Sequence, residues 1–350
     1  MIRMSDIIKM AESSGLKKIG KEKNDEIISQ DITNIAQKVE ANRIEMAKLY
    51  NRGITLISDA FNQIRENKNI DFSQALDFTR TLLDTILIEG DEQLSGFYEI
   101  ISADNYLPSH SMNVSILSTK IGMWLGLNKS ELTELIASAL FHDLGMIKVE
   151  DIVQKEGRLG MAERMKVEKH PEYSEEILRT TNYLNEEGLL SVKTHHYRGP
   201  RPRFSHIIGL ADIYEAITHP RMYKKAKAPH KAIGEIIEKE GLSFQADVIK
   251  TFVNNIGVYP VGSWVKLSTG EIGIVIEANK GYPLSPKVHV MFNHLSEQIK
   301  NRKIVDFMKE SYFYIEGPVD ITEKEEAKSE AKNDENEDSL LKTWGSLSNS

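Results

Sequence analysis

The chain has 350 residues, 40% hydrophobic and 27% charged, with a formal net charge of −8. That length allows two or three domains and a large core, and the composition is that of an ordinary soluble protein. There are no cysteines, which excludes disulfides, cysteine nucleophiles and thiolate metal sites and leaves His, Asp, Glu or water to hold any metal.

The opening stretch "MIRMSDIIKMAESSGLKK" has no signal-peptide apolar region. No apolar run approaches the roughly 20 residues of a spanning helix. A cytoplasmic protein without a membrane span is expected. Residues 1–35 are polar and weakly periodic, and read as a loosely ordered lead-in with at most one short helix. Residues 36–94 carry helical periodicity in "NIAQKVEANRIEMAKLYNRGITLISDAFNQIRENKN" and "DFSQALDFTRTLLDTILI". Asp71 is positioned to cap the second stretch. These N-terminal helices are read as a partner or homodimer surface.

Residues 95–255 continue as helices punctuated by Pro and Gly, with Gly145 among the breaks. The hydrophobic period changes near Gly257. "SWVKLS", "EIGIVIEA" and "KVHVMF" read as strands, the first two joined by a hairpin turn at "STGE". Residues 256–318 are therefore expected to form a small, partly closed β barrel. The last residues, 319–350, read as a disordered acidic tail. From Ile321 onward there are eight acids and four lysines. The remaining body is nearly balanced in charge, with no basic stripe to suggest a DNA or RNA partner. The fold class is mainly α, with a helical bundle between N-terminal helices and the β module.

Of the ten histidines, five fall in the helical block beside small turn residues: His110, His142, His170, His195 and His196. Asp143 follows His142, and Asp212 lies in "GLADIYEAIT". Seven such groups on separate helices suit a metal site in a bundle core. Imidazole with carboxylate favours Fe, Mn, Zn or Ni over Mg²⁺. Side chains adjacent at a helix end diverge by about 100°, so His142 can hold one ion while Asp143 bridges to a second. Two ions roughly 3.5–4 Å apart can share a hydroxide and clamp an in-line phosphoryl displacement. His142 and Asp143 are thus the catalytic candidates. His206, His219, His230, His289 and His294 read as structural or surface residues.

The order H…HD…H…HH…D resembles the HD superfamily of metal-dependent phosphohydrolases and, within it, the HD-GYP subgroup. The resemblance is carried by "ADNYLPSHSMNVSILSTKIGMWLGL", "ASALFHDLGMIKVEDIVQKEGRLGMAERMKVEKHPEYSEEIL", "VKTHHYRGP" and "GLADIYEAITHPRMYKKAKAPHKAI". "YPVGSWVKLSTGEIGIVIE" is similar to the β extension that often follows such domains. The resemblance implies hydrolysis of cyclic di-GMP at a two- or three-metal iron or manganese centre. It matches His110, His142, Asp143 and Asp212 to the superfamily ligands and His170, His195 and His196 to the subgroup's additional ones. Arg221 and Tyr223 match the subgroup's Arg-x-Tyr, as a phosphate or structural anchor.

Three departures bear on activity. The family's HD-x-G-K reads HD-x-G-Met here, at Met146, and Lys148 is expected to point elsewhere. The Gly-Tyr-Pro loop is replaced by the shorter "YRGPRPRFSH", in which Arg198, Arg201 and Arg203 offer replacement cations for phosphate. Tyr106 stands where some members carry a glutamate, so two ions are expected rather than three. The expected function is a phosphodiesterase for cyclic di-GMP or a related cyclic nucleotide, working through a metal-bridging hydroxide. The alternative is a nucleotide-binding or signalling module that keeps its metals without turnover.

Overall fold

The computed structural model describes residues 24–89 and 106–319, apart from 154, 156, 158, 220–225, 241–242, 296 and 311. The acidic tail from residue 320, Arg221 and Tyr223 lie outside the described residues. The chain divides into two compact units, Met1–Asn113 and Val114–Ser350.

In the first unit, helix α1 (Asn24–Arg65) is followed by α2 (Ser73–Glu89). Tyr50, Ile57 and Phe61 of α1 and Phe78, Leu82, Leu83 and Ile86 of α2 are buried, on one stripe of each helix as the 3.6-residue period requires. Asp71 accepts from the Ser73 N–H at 2.8 Å, so the expected capping residue serves α2 from one position further out. Helix α1 starts at Asn24, and residues 24–35 are helical rather than a loosely ordered lead-in. Few apolar residues mark that stretch in sequence, and helix propagates readily from the periodic segment behind it.

Helix α3 (Tyr106–Trp124) contains the division between the units. Residues 109–122 are all buried. A helix buried on all sides shows little amphipathic contrast, and its serines and glycine keep it narrow.

In the second unit, Asn128 caps α4 (Lys129–Leu140). It accepts from the Ser130 and Glu131 N–H groups while Glu131 accepts from the Asn128 N–H, a reciprocal pair that fixes the helix start. A 3₁₀ turn (Leu144–Val149) leads into α5 (Glu150–Val153), α6 (Met161–Val167), α7 (His170–Arg179), α8 (Glu186–Thr194), α9 (Arg203–Thr218), α10 (Pro229–Glu235) and α11 (Ala246–Ile256). Arg179 of α7 bridges Glu175 on its own helix and Glu186 at the start of α8, and Lys193 of α8 reaches back to Glu175 at 3.5 Å. Helix α9 is buried almost throughout.

Helix gives way to strand at Gly257, whose φ of +88° ends α11 in a conformation that favours glycine. Strands β1 (Trp264–Leu267), β2 (Ile272–Glu277), β3 (Lys287–Phe292), β4 (Gln298–Asp306) and β5 (Ile315–Pro318) form one antiparallel sheet in the order β4-β3-β2-β1-β5. The first three are the strands the sequence marks. Gly270, at φ +80°, makes the turn between β1 and β2. Val265, Leu267, Val275, Val288, Val290 and Val305 form the module's core.

His206 of α9 is one of the structural histidines. Its Nδ1 accepts from the Gln245 N–H and from Arg201 Nε, each at 3.3 Å. Burial first, then the Arg201 charge, lower its pKa to about 4. The folded state therefore holds a neutral ring. Its contribution to stability is complete above about pH 6.5, the unfolded value, and declines as pH falls towards 4. Urea unfolding at pH 7 and pH 5 should show the parent losing about 1 to 2 kcal/mol more than His206→Gln, which cannot take up a proton. Equal losses would show that this ring does not titrate between the two states.

Candidate metal centre

Helix α4 ends at Leu140, and the next three residues turn the chain. This turn answers why an imidazole and a carboxylate stand side by side. His142 and Asp143 sit past the last helical residue, where both can face inward. The His142 Nδ1–H donates to the Ala139 carbonyl at 2.8 Å. Asp143 adopts φ −103° and ψ 10° and makes no side-chain cap bond to the 3₁₀ turn it precedes.

The same device recurs at two other histidines. His170 opens α7, and its Nδ1–H donates to the Val167 carbonyl at 2.7 Å. His195 closes α8, and its Nδ1–H donates to the Val192 carbonyl at 2.6 Å. A carbonyl can only accept, so each ring carries its proton on Nδ1 and presents the Nε2 lone pair. Such fixing of the tautomer is the usual support of a metal-ligating imidazole.

Those three Nε2 atoms gather on one carboxylate oxygen. Asp143 Oδ1 lies 3.5 Å from His142, 3.0 Å from His170 and 4.0 Å from His195. Beside them His196 Nε2 stands 3.4 Å from Asp212 Oδ2 of α9. The His195 and His196 ring centroids are 4.1 Å apart. Within the second unit, two overlapping donor sets could hold a metal ion, His170 with His195 and His196, and His142 with His195 and Asp212. Within each, the ligand atoms lie within 4.8 Å of one another. His142, Asp143, His170, His195 and Asp212 are buried.

The electrostatics of His195 agree with a ligand role. Burial pushes the His195 imidazole well below its ordinary pKa, and the nearby His196, His142 and His170 rings push it further. It is neutral at physiological pH, as a ligand must be. His195 Nε2 is buried and makes no hydrogen bond among the described residues, an arrangement that is costly unless something else satisfies it. Burial opposes charge on His170 as well, but the Asp143 carboxylate outweighs it and raises that pKa. A divalent cation fits this donor set. Its imidazole and carboxylate donors match first-row transition ions, and the two carboxylates offset cationic charge.

Two glycines set the spacing, and neither was singled out for this role by its sequence context. A Cβ at Gly145 would lie 2.1 Å from the His170 carbonyl oxygen and 2.5 Å from the Ser174 nitrogen. The Gly145 N–H donates to Ser174 Oγ at 2.8 Å. A Cβ at Gly209 would lie 2.2 Å from the His195 carbonyl oxygen. These contacts bring the His142–Asp143 turn against α7 and bring α9 against the end of α8.

His110 is buried on α3 and stacks on Tyr106, with ring centroids 5.7 Å apart. Lys148 points away to Glu176, at 3.0 Å, and over the Tyr173 ring. Among the loop arginines, Arg201 donates to the Ser243 carbonyl and packs over Phe244, and Arg203 pairs with Asp247 at 2.7 Å. Arg198 is exposed.

Residues 108–217 match the HD domain, and residues 264–327 match a KOW domain associated with HD domains. A cyclic di-GMP phosphodiesterase of Pseudomonas aeruginosa is 28% identical, over 74% of this chain and 66% of that protein. One from Borreliella burgdorferi is also 28% identical, over 59% of this chain and 56% of its own length. The chain thus spans less than two thirds of either relative. A 3'3'-cGAMP-specific phosphodiesterase of Vibrio cholerae is 24% identical over 42% of this chain and 31% of its own. A solved structure, an HDG"Y"P protein from Bdellovibrio bacteriovorus, aligns over 58% of this chain and 68% of that one, at 13% identity and a TM-score of 0.48. The histidine and aspartate cluster lies inside the segment that matches the HD domain, and the β module behind it lies in the segment that matches the KOW domain.

Proposed function

We propose that this chain is a metal-dependent phosphodiesterase of the HD-GYP type that hydrolyses cyclic di-GMP or a related cyclic dinucleotide. One observation carries the reading. Three imidazoles, each locked through Nδ1, aim Nε2 at the Asp143 carboxylate, with the His196–Asp212 pair beside them. The names of the Pseudomonas, Borreliella and Vibrio relatives support the substrate class.

The site is assigned two divalent ions, iron or manganese. His142, Asp143, His170, His195, His196 and Asp212 would hold them, and His110 would join the set by its place in the sequence motif. Divalent ions there supply Lewis acidity and a water acidic enough to attack phosphorus near neutral pH. Asp143, with the His142, His170 and His195 Nε2 atoms around its Oδ1, would be shared between them. Arg198 is assigned to a substrate phosphate. Arg201 and Arg203, which bond the Ser243 carbonyl and Asp247, are assigned to the same role. Arg221 and Tyr223 keep the anchor role of the motif.

Among the described residues no helix is long and apolar enough to cross a membrane, and a cytoplasmic location is part of the reading. So is a homodimer through the N-terminal helices, where Leu76, Leu87 and Ile88 of α2 are exposed.

The test is metal analysis of anaerobically purified protein, paired with hydrolysis of a panel of cyclic and linear dinucleotides. Turnover of a cyclic dinucleotide by iron- or manganese-loaded protein is the expected result. Full loading without hydrolysis would favour the second reading, a binding module, which Met146 in place of the motif lysine supports. Met146→Lys should leave metal content unchanged and raise turnover about tenfold, by restoring a cation near the phosphoryl charge.

A further inference from the structure

The cluster is closed on one side and open on another. The His195 side chain is 0% exposed, and that of the adjacent His196 is 40% exposed. Of the six clustered donor side chains His196 is the most exposed, which makes its side the approach for a phosphodiester. The next residue is Tyr197, in the segment that replaces the Gly-Tyr-Pro loop. It is 56% exposed.

Tyr197 is held in place. Its N–H donates to the Thr194 carbonyl at 2.9 Å, which continues the turn from α8. Its ring lies across Gly199. A Cβ there would come within 2.5 Å of Tyr197 Cε1 and 2.7 Å of Cζ and Oη. Part of the ring is thus seated on glycine backbone, and the rest is open to solvent. Leaving so large an aromatic ring exposed forgoes its hydrophobic burial. A ligand that covers the ring restores that gain.

We propose that Tyr197 is the stacking platform for a purine base of the substrate, and so a specificity-determining residue. This rests on the reading that the substrate is a cyclic dinucleotide. Such a molecule carries flat bases close to its phosphodiester. With the phosphate at the donor set, a base is carried out past His196 towards the residue that follows it. Tyrosine stacks on any base, and loss of one such contact weakens binding about tenfold or more. The specificity this adds is for nucleotides over phosphodiesters without bases.

The test is steady-state hydrolysis of cyclic di-GMP by the metal-loaded full chain and by Tyr197→Ala, Tyr197→Phe and Gly199→Ala. Inorganic phosphate serves as a competitive inhibitor without a base. Tyr197→Ala should raise KM about tenfold and leave metal content and the phosphate inhibition constant where they were. Tyr197→Phe keeps the ring and should keep the parental KM. Gly199→Ala displaces the ring and should raise KM in the same direction. An unchanged KM in Tyr197→Ala overturns this inference alone. So does a phosphate inhibition constant that rises in step with KM, since that marks a general distortion. A metal-loaded parent that hydrolyses no cyclic dinucleotide overturns the functional reading, and this inference with it.

Discussion

On the proposed two-metal reading, Asp143→Ala is expected to abolish paired metal binding and to lower cyclic dinucleotide hydrolysis by about a thousandfold, with the helical fold retained. The Asp143 carboxylate is the point on which the His142, His170 and His195 Nε2 atoms converge. Its removal leaves Asp212 as the one carboxylate of the clustered donors, with imidazoles that carry no negative charge to hold two cations together at short range. Two divalent ions that lose their shared anion repel strongly in a buried site. The loss in rate is of the size seen when a main electrostatic stabiliser of a reacting centre is removed. The fold has little reason to follow. Asp143 makes no cap bond to the turn behind it, and the surrounding core residues Leu135, Ile136, Leu140, Phe141 and Leu144 are apolar and buried. Iron and manganese content, far-ultraviolet circular dichroism and turnover, measured on one preparation, decide the matter. Full loading with normal turnover would refute a two-metal mechanism centred on this residue.

The clustering histidines and aspartates could be picked out in sequence because metal chemistry restricts a candidate donor set to few residue types. His142, Asp143, His170, His195, His196 and Asp212 stand at helix ends or on the buried helix α9, and the sequence marks those ends with Gly and Pro. The strands β1 to β3 were legible from β-branched alternation. Strand β4 was not, because "QIKNRKIVD" is mostly polar. Its Lys303 pairs with Glu271, a residue 32 positions earlier. The arginine loop shows the same limit. A sequence shows that Arg201 and Arg203 are cations, but their partners Ser243 and Asp247 lie about forty positions on. Residue type and short-range period survive in a linear reading. Partners chosen by tertiary packing do not.

Gly145 and Gly209 make that distinction measurable. Gly145→Ala and Gly209→Ala should each destabilise the protein by about 3 kcal/mol, near the upper end of ordinary overpacking, and should reduce metal content. The added methyl would meet the His170 carbonyl oxygen at 2.1 Å in one case and the His195 carbonyl oxygen at 2.2 Å in the other. A flexible side chain could swing aside from such a contact, but these are backbone atoms of residues that carry ligands. Relief requires a shift on the order of 1 Å between the elements that bear Asp143 and His170, or between α8 and α9. A metal site tolerates about half of that. Neither glycine has a positive φ, so the backbone conformation itself accepts alanine and only space forbids it. Gly234, exposed on α10 with nothing within 4 Å of its added Cβ, is the opposite case. There the same substitution should stabilise by about 0.5 to 1 kcal/mol, through helix propensity alone. Urea unfolding and metal content of the three variants test the contrast. Propensity predicts that Gly209→Ala also gains stability, because Gly209 lies inside helix α9. Steric exclusion by the His195 carbonyl predicts a loss several times larger than that gain. If Gly209→Ala proves as stable as Gly234→Ala, the close approach of α8 and α9 does not constrain the donor set.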